Sequence, residues 1–260
     1  MIIALLTDFG PFDAYAGIMK GVILGINPDA KLVDITHHVS PQNVDEGAFI
    51  LNNAHRFFPE HTLFTVVVDP GVGSKRKILL VKAENQLFLA PDNGILKYIF
   101  YAHPDAEVFH INNEEYFLPV ISSTFHGRDI FAPVAGHLSA GVLPSRMGER
   151  ISDFIRGEVH LPEISEQQIT GEILYFDHFG NAVSNIDRRA LRHFKSFNIQ
   201  IGETNFSKLS VSYSDIKAGE PLAIIGSNNT IEISINRDSA RERLSLKQGD
   251  RVEIRNLKRK

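Results

Sequence analysis

Residues 1–10 read MIIALLTDFG, in which a continuous apolar run over residues 2–6 ends at Thr7-Asp8. A run that is apolar at every position is typical of a strand buried on both faces of a parallel sheet. The stretch has no basic start and meets an acidic residue at Asp8, which is unlike a secretory signal peptide. It therefore predicts the first buried strand of an α/β domain.

Apolar runs and amphipathic stretches then alternate along the first half of the chain. Further strands are predicted over residues 32–35, 63–68, 78–81 and 87–89, the last two as an antiparallel pair around Glu84-Asn85. Helical spacing of apolar residues predicts helices over residues 14–26, 43–57, 94–101 and 125–138. This order predicts an N-terminal α/β domain with a mostly parallel sheet, residues 1–158.

The pattern changes near residues 143–166, where helical periodicity fades and a linker is predicted. Short strand-like runs follow, separated by turn formers such as Gly226 and Asn229. These runs cover residues 171–176, 182–186, 197–201, 222–225, 230–235 and 251–254. They predict a smaller C-terminal all-β, barrel-like domain, residues 168–260.

Composition narrows the class of protein. The 260 residues are 43% hydrophobic and 22% charged, as in ordinary globular proteins, and no apolar run approaches the ~20 residues of a membrane span. The net charge of −4 gives no sign of a nucleic-acid partner, and the basic tail at residues 257–260 is predicted to be a solvated end. With no cysteine, disulfides and cysteine-based chemistry are excluded, and a cytoplasmic location fits.

Polar residues follow the predicted strands, at the edge where open α/β sheets bind ligands. Asp8 has two interpretations: it accepts the hydroxyls of a ribose, or it caps a helix. The stretch VDPGVGS, residues 68–74, has an open backbone suited to an anion but lacks the P-loop and dinucleotide-binding patterns. Asp69 and Arg76 lie seven positions apart. They either belong to a functional site or form an ordinary structural salt bridge.

Three further stretches are dense in polar groups. APDNG, residues 90–94, reads as a turn that starts a helix or as part of a site. His126 and Asp129 in STFHGRD, residues 123–129, have a spacing that is common by chance, so no metal site is predicted. DHFGN, residues 177–181, reads as a hairpin turn or a binding loop.

Together and in this order, LTDFG, VDPGVGS, APDNG, STFHGRDIFAP and DHFGNAVSNI resemble the S-adenosylmethionine hydroxide adenosyltransferase family. That family is related to the S-adenosylmethionine-dependent fluorinases and chlorinases. The resemblance covers nearly the whole chain. It implies an N-terminal α/β domain, a C-terminal barrel-like domain and a homotrimer whose active sites lie at subunit interfaces.

The resemblance also implies roles for individual residues. The hydrolytic branch carries an Asp–Arg–His set, matched by Asp69, Arg76 and His126. The implied substrate-binding residues are Asp8 at the ribose, Phe9, Asp92, Asn93, Asp177 and Asn181 at the amino-acid end, Phe179 against the ligand, Ser227 near the carboxylate, and Asn236. Halogenase relatives place arginines near Ser227 and Ile235, whereas this chain has Asn228 and Ile235. No cofactor and no metal are implied.

The expected activity is hydrolysis of S-adenosylmethionine to adenosine and methionine, with water or hydroxide attacking C5′ in line with the sulfonium. A halogenase is the nearest rival, but the fluorinase has a long insertion between the VDPGVG and APDNG motifs, and this chain is compact between Gly73 and Asp92. The residues also leave open a nucleoside-binding or S-adenosylmethionine-binding module with little turnover, and a metal-dependent phosphohydrolase. Which member of the Asp–Arg–His set acts as the base is left open.

Overall fold

The structure is a computed structural model that describes residues 1–257 of the chain. It contains two compact units, Met1–Val159 and a second unit that begins at His160. Most of the basic tail predicted as a solvated end, residues 258–260, lies outside the described residues. Across residues 1–257, no helix combines the length and the apolar character that a bilayer span requires.

Seven strands form the mixed sheet of the first unit. They are β1 (Ile2–Thr7), β2 (Lys31–Thr36), β3 (Leu63–Val67), β4 (Ile78–Ala83), β5 (Gln86–Pro91), β6 (Glu107–Ile111) and β7 (Gly148–Arg150). Their order is β2-β1-β3-β5-β4-β6-β7. The first four strands in this order pair in parallel, and β4, β6 and β7 extend the sheet by antiparallel pairing.

Helices cover both faces of this sheet. They are α1 (Tyr15–Ile26), α2 (Val44–Ala54), α3 (Lys97–Ala102), α4 (Ala132–Ser139) and α5 (Pro144–Met147). Successive side chains of a strand point to opposite faces. Leu5 of β1 therefore lies in one apolar core with Met19 of α1, while Leu6 lies in a second core with Leu51 of α2 and Ile99 of α3. The result is a three-layer α/β/α unit.

The strand order creates a switch point, which is where open α/β sheets bind ligands. The chain leaves β1 to form β2 on one side and returns to form β3 on the other, so the connections diverge between β1 and β3. Thr7 at the end of β1 is in register with Val67 at the end of β3. Ligands of open α/β sheets bind at such a switch point, beyond the carboxyl ends of the strands. Asp8 follows β1 directly, and Asp69 lies two residues beyond the end of β3.

The second unit is an antiparallel sheet curved into a nearly closed barrel. Its elements are β8 (Glu163–Ile164), β9 (Gln168–Phe176), β10 (Ala182–Asp187), β11 (Phe197–Ile201), β12 (Thr204–Phe206), β13 (Pro221–Ile225), β14 (Thr230–Ile235), β15 (Arg251–Asn256) and the helix α6 (Ala240–Arg243). The strand order is β12-β11-β15-β9-β10-β14-β13, with β8 paired to β9. Isoleucines of β9, β11, β14 and β15 fill its core.

The predicted combination of an α/β unit and a barrel-like all-β unit is confirmed. The predicted antiparallel pair is confirmed as β4 and β5, and Glu84 and Asn85 have φ angles of 45° and 60°. Two successive residues with positive φ are the signature of a hairpin turn whose twist matches the flanking strands.

Several predicted boundaries are wrong. The stretch 143–166 is not simply a linker, because it contains α5 and β7, which pairs with β6, and also β8. The strands β6, β7 and β12 were not predicted, because they are only three to five residues long and show no strict alternation of apolar and polar residues. The helix predicted from residue 94 begins at Lys97, because Gly94 has a φ of 89° that no helix accommodates.

Short turns of helix complete the fold. Tight 3₁₀ turns cover His55–Phe57, Glu114–Tyr116, Arg188–His193 and Tyr213–Asp215. The helix predicted over residues 125–138 starts instead with a π-helical turn, Gly127–Phe131, which leads into α4. A π turn is rare and often accompanies functional residues, and this one directly follows His126.

Candidate active site

The loop after β3 brings two parts of the first unit into close contact. Gly73 has a φ of 78°, which favours glycine, and a Cβ there would lie 2.2 Å from the carbonyl oxygen of Ser123. The loop therefore presses against the segment that carries His126. A side chain at position 73 would separate the two segments.

Asp69 and Arg76 form a nearly buried ion pair inside this loop. Arg76 Nε donates to both carboxylate oxygens of Asp69 at 2.8 Å, and Nη2 also donates to Oδ2. Their side chains are only 4% and 8% exposed, respectively. The Arg76 guanidinium also lies over the Phe131 ring, 5.7 Å from its centre. Because guanidinium is always charged and planar, this pair fixes a cation in one orientation.

His126 completes a charged trio, the name used below for Asp69, Arg76 and His126. Arg76 Nη2 lies 3.1 Å from His126 Nδ1. A guanidinium can only donate, so Nδ1 accepts and the proton of the neutral ring is assigned to Nε2. Burial and then the Arg76 charge lower the pKa of His126, against opposing contributions from Asp69, Asp129 and the Ser122 backbone. The ring is therefore neutral at pH 7.

Asp129 holds the His126 segment in place. Its side chain is fully buried, and it accepts from Ser122 N at 2.8 Å and Arg128 Nε at 2.6 Å. Burial raises its pKa, but these hydrogen bonds outweigh burial and leave the pKa of Asp129 below its ordinary value. The His-x-x-Asp spacing thus reflects an anchor for the turn.

Asp8 and Phe9 follow the end of β1, which pairs with β3, and Phe9 contacts Phe125, the residue before His126. Asp8 Oδ2 accepts from Gln42 N at 2.8 Å, and the carboxylate is only partly buried. The Phe9 ring packs against Tyr15 and Phe125, with ring centres 5.6 Å and 5.8 Å apart. Their predicted contacts with the substrate stay predictions.

Asp92 and Asn93 have structural hydrogen bonds that sequence reasoning did not foresee. Asp92 Oδ1 accepts from Ile155 N at 2.8 Å, and Asn93 Nδ2 donates to Val68 O at 2.9 Å. Asn93 thereby fixes the residue that precedes Asp69. Only the Asn93 contact supports the loop after β3, and a substrate contact for either residue stays a prediction.

The second unit contains a cavity of about 860 Å³, large enough for a drug-sized ligand. Four of the predicted residues line it: Asp177, Phe179, Asn181 and Ser227. The fifth, Asn236, lies in a neighbouring shallow cavity, where its Nδ2 donates to Ile216 O at 2.6 Å.

The DHFGN stretch is both a hairpin turn and part of the cavity wall. Asp177 accepts from Phe179 N at 2.9 Å and from both the backbone and the side-chain nitrogen of Asn181 at 2.8 Å. A Cβ on Gly180 would lie 2.1 Å from Ser239 Oγ, so glycine lets the turn lie on the wall. The Phe179 ring is 73% exposed and lies at the cavity surface.

Sequence reasoning missed other residues of the cavity: Tyr213, Glu232, Arg237, Asp238 and Ser239. Glu232 accepts from Tyr213 Oη at 2.7 Å and from Ser234 Oγ at 2.8 Å. Burial, and then the hydrogen bond to Glu232, raise the pKa of Tyr213 above its ordinary value. The only sequence signal was a glutamate between the isoleucines of the strand β14.

The fold and the site together define a class of protein. One unit is an α/β domain with a buried arginine side chain near the switch point of its sheet, and the other is a β-barrel with a cavity large enough for a ligand. Family models of the S-adenosylmethionine hydroxide adenosyltransferases match residues 3–148 with their N-terminal domain and residues 171–253 with their C-terminal domain. The chain belongs to this family.

Individual proteins are also similar to this chain over nearly its whole length. An (R)-S-adenosyl-L-methionine hydrolase of Thermus thermophilus is 32% identical, over 96% of this chain and 97% of its own. An enzyme of the same name from Methanocaldococcus jannaschii is 31% identical, over 97% and 95%. A crystal structure of an uncharacterized conserved protein from Thermotoga maritima has a TM-score of 0.89 and 38% identity, over 98% and 99%. A fluorinase of Nocardia brasiliensis is more distant, at 26% identity over 98% and 96%.

Proposed function

We propose that this protein is a hydrolase that splits S-adenosyl-L-methionine into adenosine and L-methionine. The observation that carries the proposal is the charged trio at the switch point of the sheet. Full-length relatives that bear the hydrolase name support it. The family resemblance assigns the trio to the nucleophile and the cavity residues to the substrate.

The substrate needs little help at its leaving group, because a sulfonium departs as a neutral thioether. The enzyme must instead place an oxygen nucleophile in line with the C5′–S bond. Positioning of this kind can lower a barrier by ~7–11 kcal/mol. The oxygen forms a bond to C5′, and the C5′–S electron pair stays on sulfur as methionine leaves.

In this proposal the trio holds the oxygen by donating hydrogen bonds. Asp69 and His126 engage Nε and Nη2 of Arg76, and Nη1 makes no hydrogen bond within residues 1–257. Nη1 and the protonated Nε2 of His126 are then the donors for a hydroxide ion. His126 Nδ1 is occupied by Arg76, so we assign His126 as a donor and let solvent take the proton from water.

We propose the following substrate contacts from the family resemblance. Asp8 binds the ribose diol, with Phe9, Asp92 and Asn93 nearby. Asp177, Asn181, Ser227 and Asn236 bind the methionine part, and Phe179 packs against the ligand. The solvent-exposed ring of Phe179 supports its role, because a ligand would cover this apolar surface.

We propose a homotrimer with active sites at subunit interfaces and a cytoplasmic location. The surface of α1 supports association: Tyr15, Ile18 and Leu24 are at least 40% exposed in the single chain, and Lys20 is the only charged residue of the helix. A helix that is apolar on all sides is normally covered. Light scattering should give three times the 29.1 kDa chain mass. The cysteine-free sequence fits the cytoplasm, and cell fractionation tests it.

Chromatography of S-adenosylmethionine incubated with pure protein tests the activity. Adenosine and methionine should form in equal amounts. If a 5′-halo-adenosine forms in the presence of halide, the protein is a halogenase. If the ligand binds but no methionine is released over hours, it is a binding module.

A further inference from the structure

The cavity of the second unit is lined by three carboxylates, Asp177, Glu232 and Asp238, and by one cation, Arg237. Two of the carboxylates are satisfied by the protein itself. Asp177 accepts three hydrogen bonds within its own turn, and Asp238 accepts from Ser239 N at 2.8 Å and Arg243 Nη1 at 3.1 Å. Glu232 differs from both.

Only one oxygen of Glu232 is satisfied. Oε1 accepts from the hydroxyls of Tyr213 and Ser234, whereas Oε2 accepts no hydrogen bond within residues 1–257. The residue is just 6% exposed and lines the cavity. A nearly buried carboxylate without a cation is costly unless its lone pairs are used.

The position of Oε2 is built into the cavity wall. A Cβ on Gly226 would lie 2.6 Å from Oε2. Gly226 has no left-handed φ, and its own N–H donates to Thr230 O at 2.9 Å. Glycine at this position therefore makes room for the carboxylate without supplying a donor to it.

We propose that Glu232 is a specificity-determining residue whose Oε2 accepts a hydrogen bond from an N–H group of the ligand. The inference rests on the proposed function for the identity of the ligand. S-adenosylmethionine offers two such groups, the ammonium of its methionine part and the 6-amino group of its adenine. Both groups are hydrogen-bond donors, and a donor is what Oε2 lacks within residues 1–257.

Calorimetric titration of the wild type and Glu232→Gln with two ligand pairs tests this. Adenosine and inosine differ at the 6-amino group, which is a carbonyl in inosine. S-adenosylmethionine and its deaminated analogue differ at the ammonium. We expect the wild type to prefer the donor-bearing member of one pair by about 100-fold, since a site built for a donor rejects an analogue without it.

In Glu232→Gln the preference in that pair should fall to about threefold or reverse, because the amide can turn an N–H toward the ligand. Collapse of the adenosine–inosine ratio identifies adenine as the source, and collapse of the other ratio identifies the ammonium. If both ratios keep their wild-type values in the folded variant, the proposal is wrong. If the wild type has no preference in either pair, it is also wrong.

Two further variants secure the interpretation. Ser234→Ala removes a donor to Oε1 from outside the cavity lining and should keep both ratios. Should Glu232→Gln not fold, Gly226→Ala displaces Oε2 with a methyl group and should lower the same ratio. Failure of the proposed function is seen separately, because the wild type would then release no methionine, whatever its adenosine–inosine ratio.

Discussion

The charged trio and the barrel cavity use ionised side chains in opposite ways. In the trio, Arg76 binds both Asp69 and the neutral ring of His126, so the cation is fixed before any ligand arrives. In the cavity, Glu232 keeps one carboxylate oxygen without a donor among residues 1–257. The first arrangement suits chemistry, which needs a preorganised group, and the second suits recognition, which needs an unmet hydrogen bond.

Breaking the trio at Arg76 should have the largest effect. Arg76→Ala removes the fixed cation and leaves Asp69 buried without its partner, so kcat should fall about 10³-fold and stability by ~3–5 kcal/mol. Arg76→Lys keeps the charge but loses the planar fork, and we expect at least about a 10²-fold loss. Steady-state kinetics and thermal melts measure both. Turnover close to wild type in Arg76→Ala would remove the trio from the mechanism.

Separating the two segments of the trio should have the next largest effect. In Gly73→Ala the Cβ collides with Ser123 O and φ is strained, so kcat should fall about 10²-fold through misplacement of His126. Gly141→Ala is the matched control, because Gly141 also has a positive φ, 96°, but open space around its Cβ. If both variants lose activity equally, strain and not contact with Ser123 is responsible.

The pH dependence sharpens the role of His126. The pKa of His126 is lowered, so the folded protein disfavours the protonated ring. The stability that the neutral ring contributes is therefore fully present above the ordinary pKa of 6.5. It is lost as the pH falls through the lowered pKa. Activity should likewise hold at pH 6.5 and fall below it. His126→Asn keeps an acceptor for Arg76 and should lose this limb of the profile, with kcat reduced about 10-fold. A limb unchanged in His126→Asn would assign it to another group.

Weakening the anchor at Asp129 should have the smallest effect. Asp129→Asn keeps an oxygen for Ser122 N but removes the charge, so we expect a loss of ~1–2 kcal/mol in stability and a modest fall in kcat. The Asp129 charge raises the pKa of His126, so its removal should move the acidic limb to lower pH. Melting curves and pH profiles of kcat/KM measure the two effects. A stability loss with no movement of the limb would make Asp129 purely structural.

The sequence predicted the buried strands and the edge of the sheet that carries the site, but not every contact within the site. Residues 2–6 and 63–68 predicted buried strands because every position or nearly every position is apolar, and the polar residues after them marked the edge of the site. The contact between Arg76 and His126 joins residues 50 positions apart. Only the fold brings them together, so the family resemblance, and not spacing, predicted it.

The cavity was harder to predict for a physical reason. In β14 the alternation of Ile231, Glu232 and Ile233 is the pattern of a strand with one face in solvent. The structure buries both faces, and Glu232 becomes part of the cavity wall. Asp92 also has a role that no local pattern reveals, since its carboxylate accepts a hydrogen bond from the distant Ile155 backbone.

The central claim is that an oxygen from water, held by a preformed cation, bonds to C5′ as sulfur leaves. Mass spectrometry of the products formed in ¹⁸O-labelled water tests it most directly. We expect one labelled oxygen in the 5′-hydroxyl of every adenosine and none in methionine. Unlabelled adenosine, or label in methionine, would contradict the account.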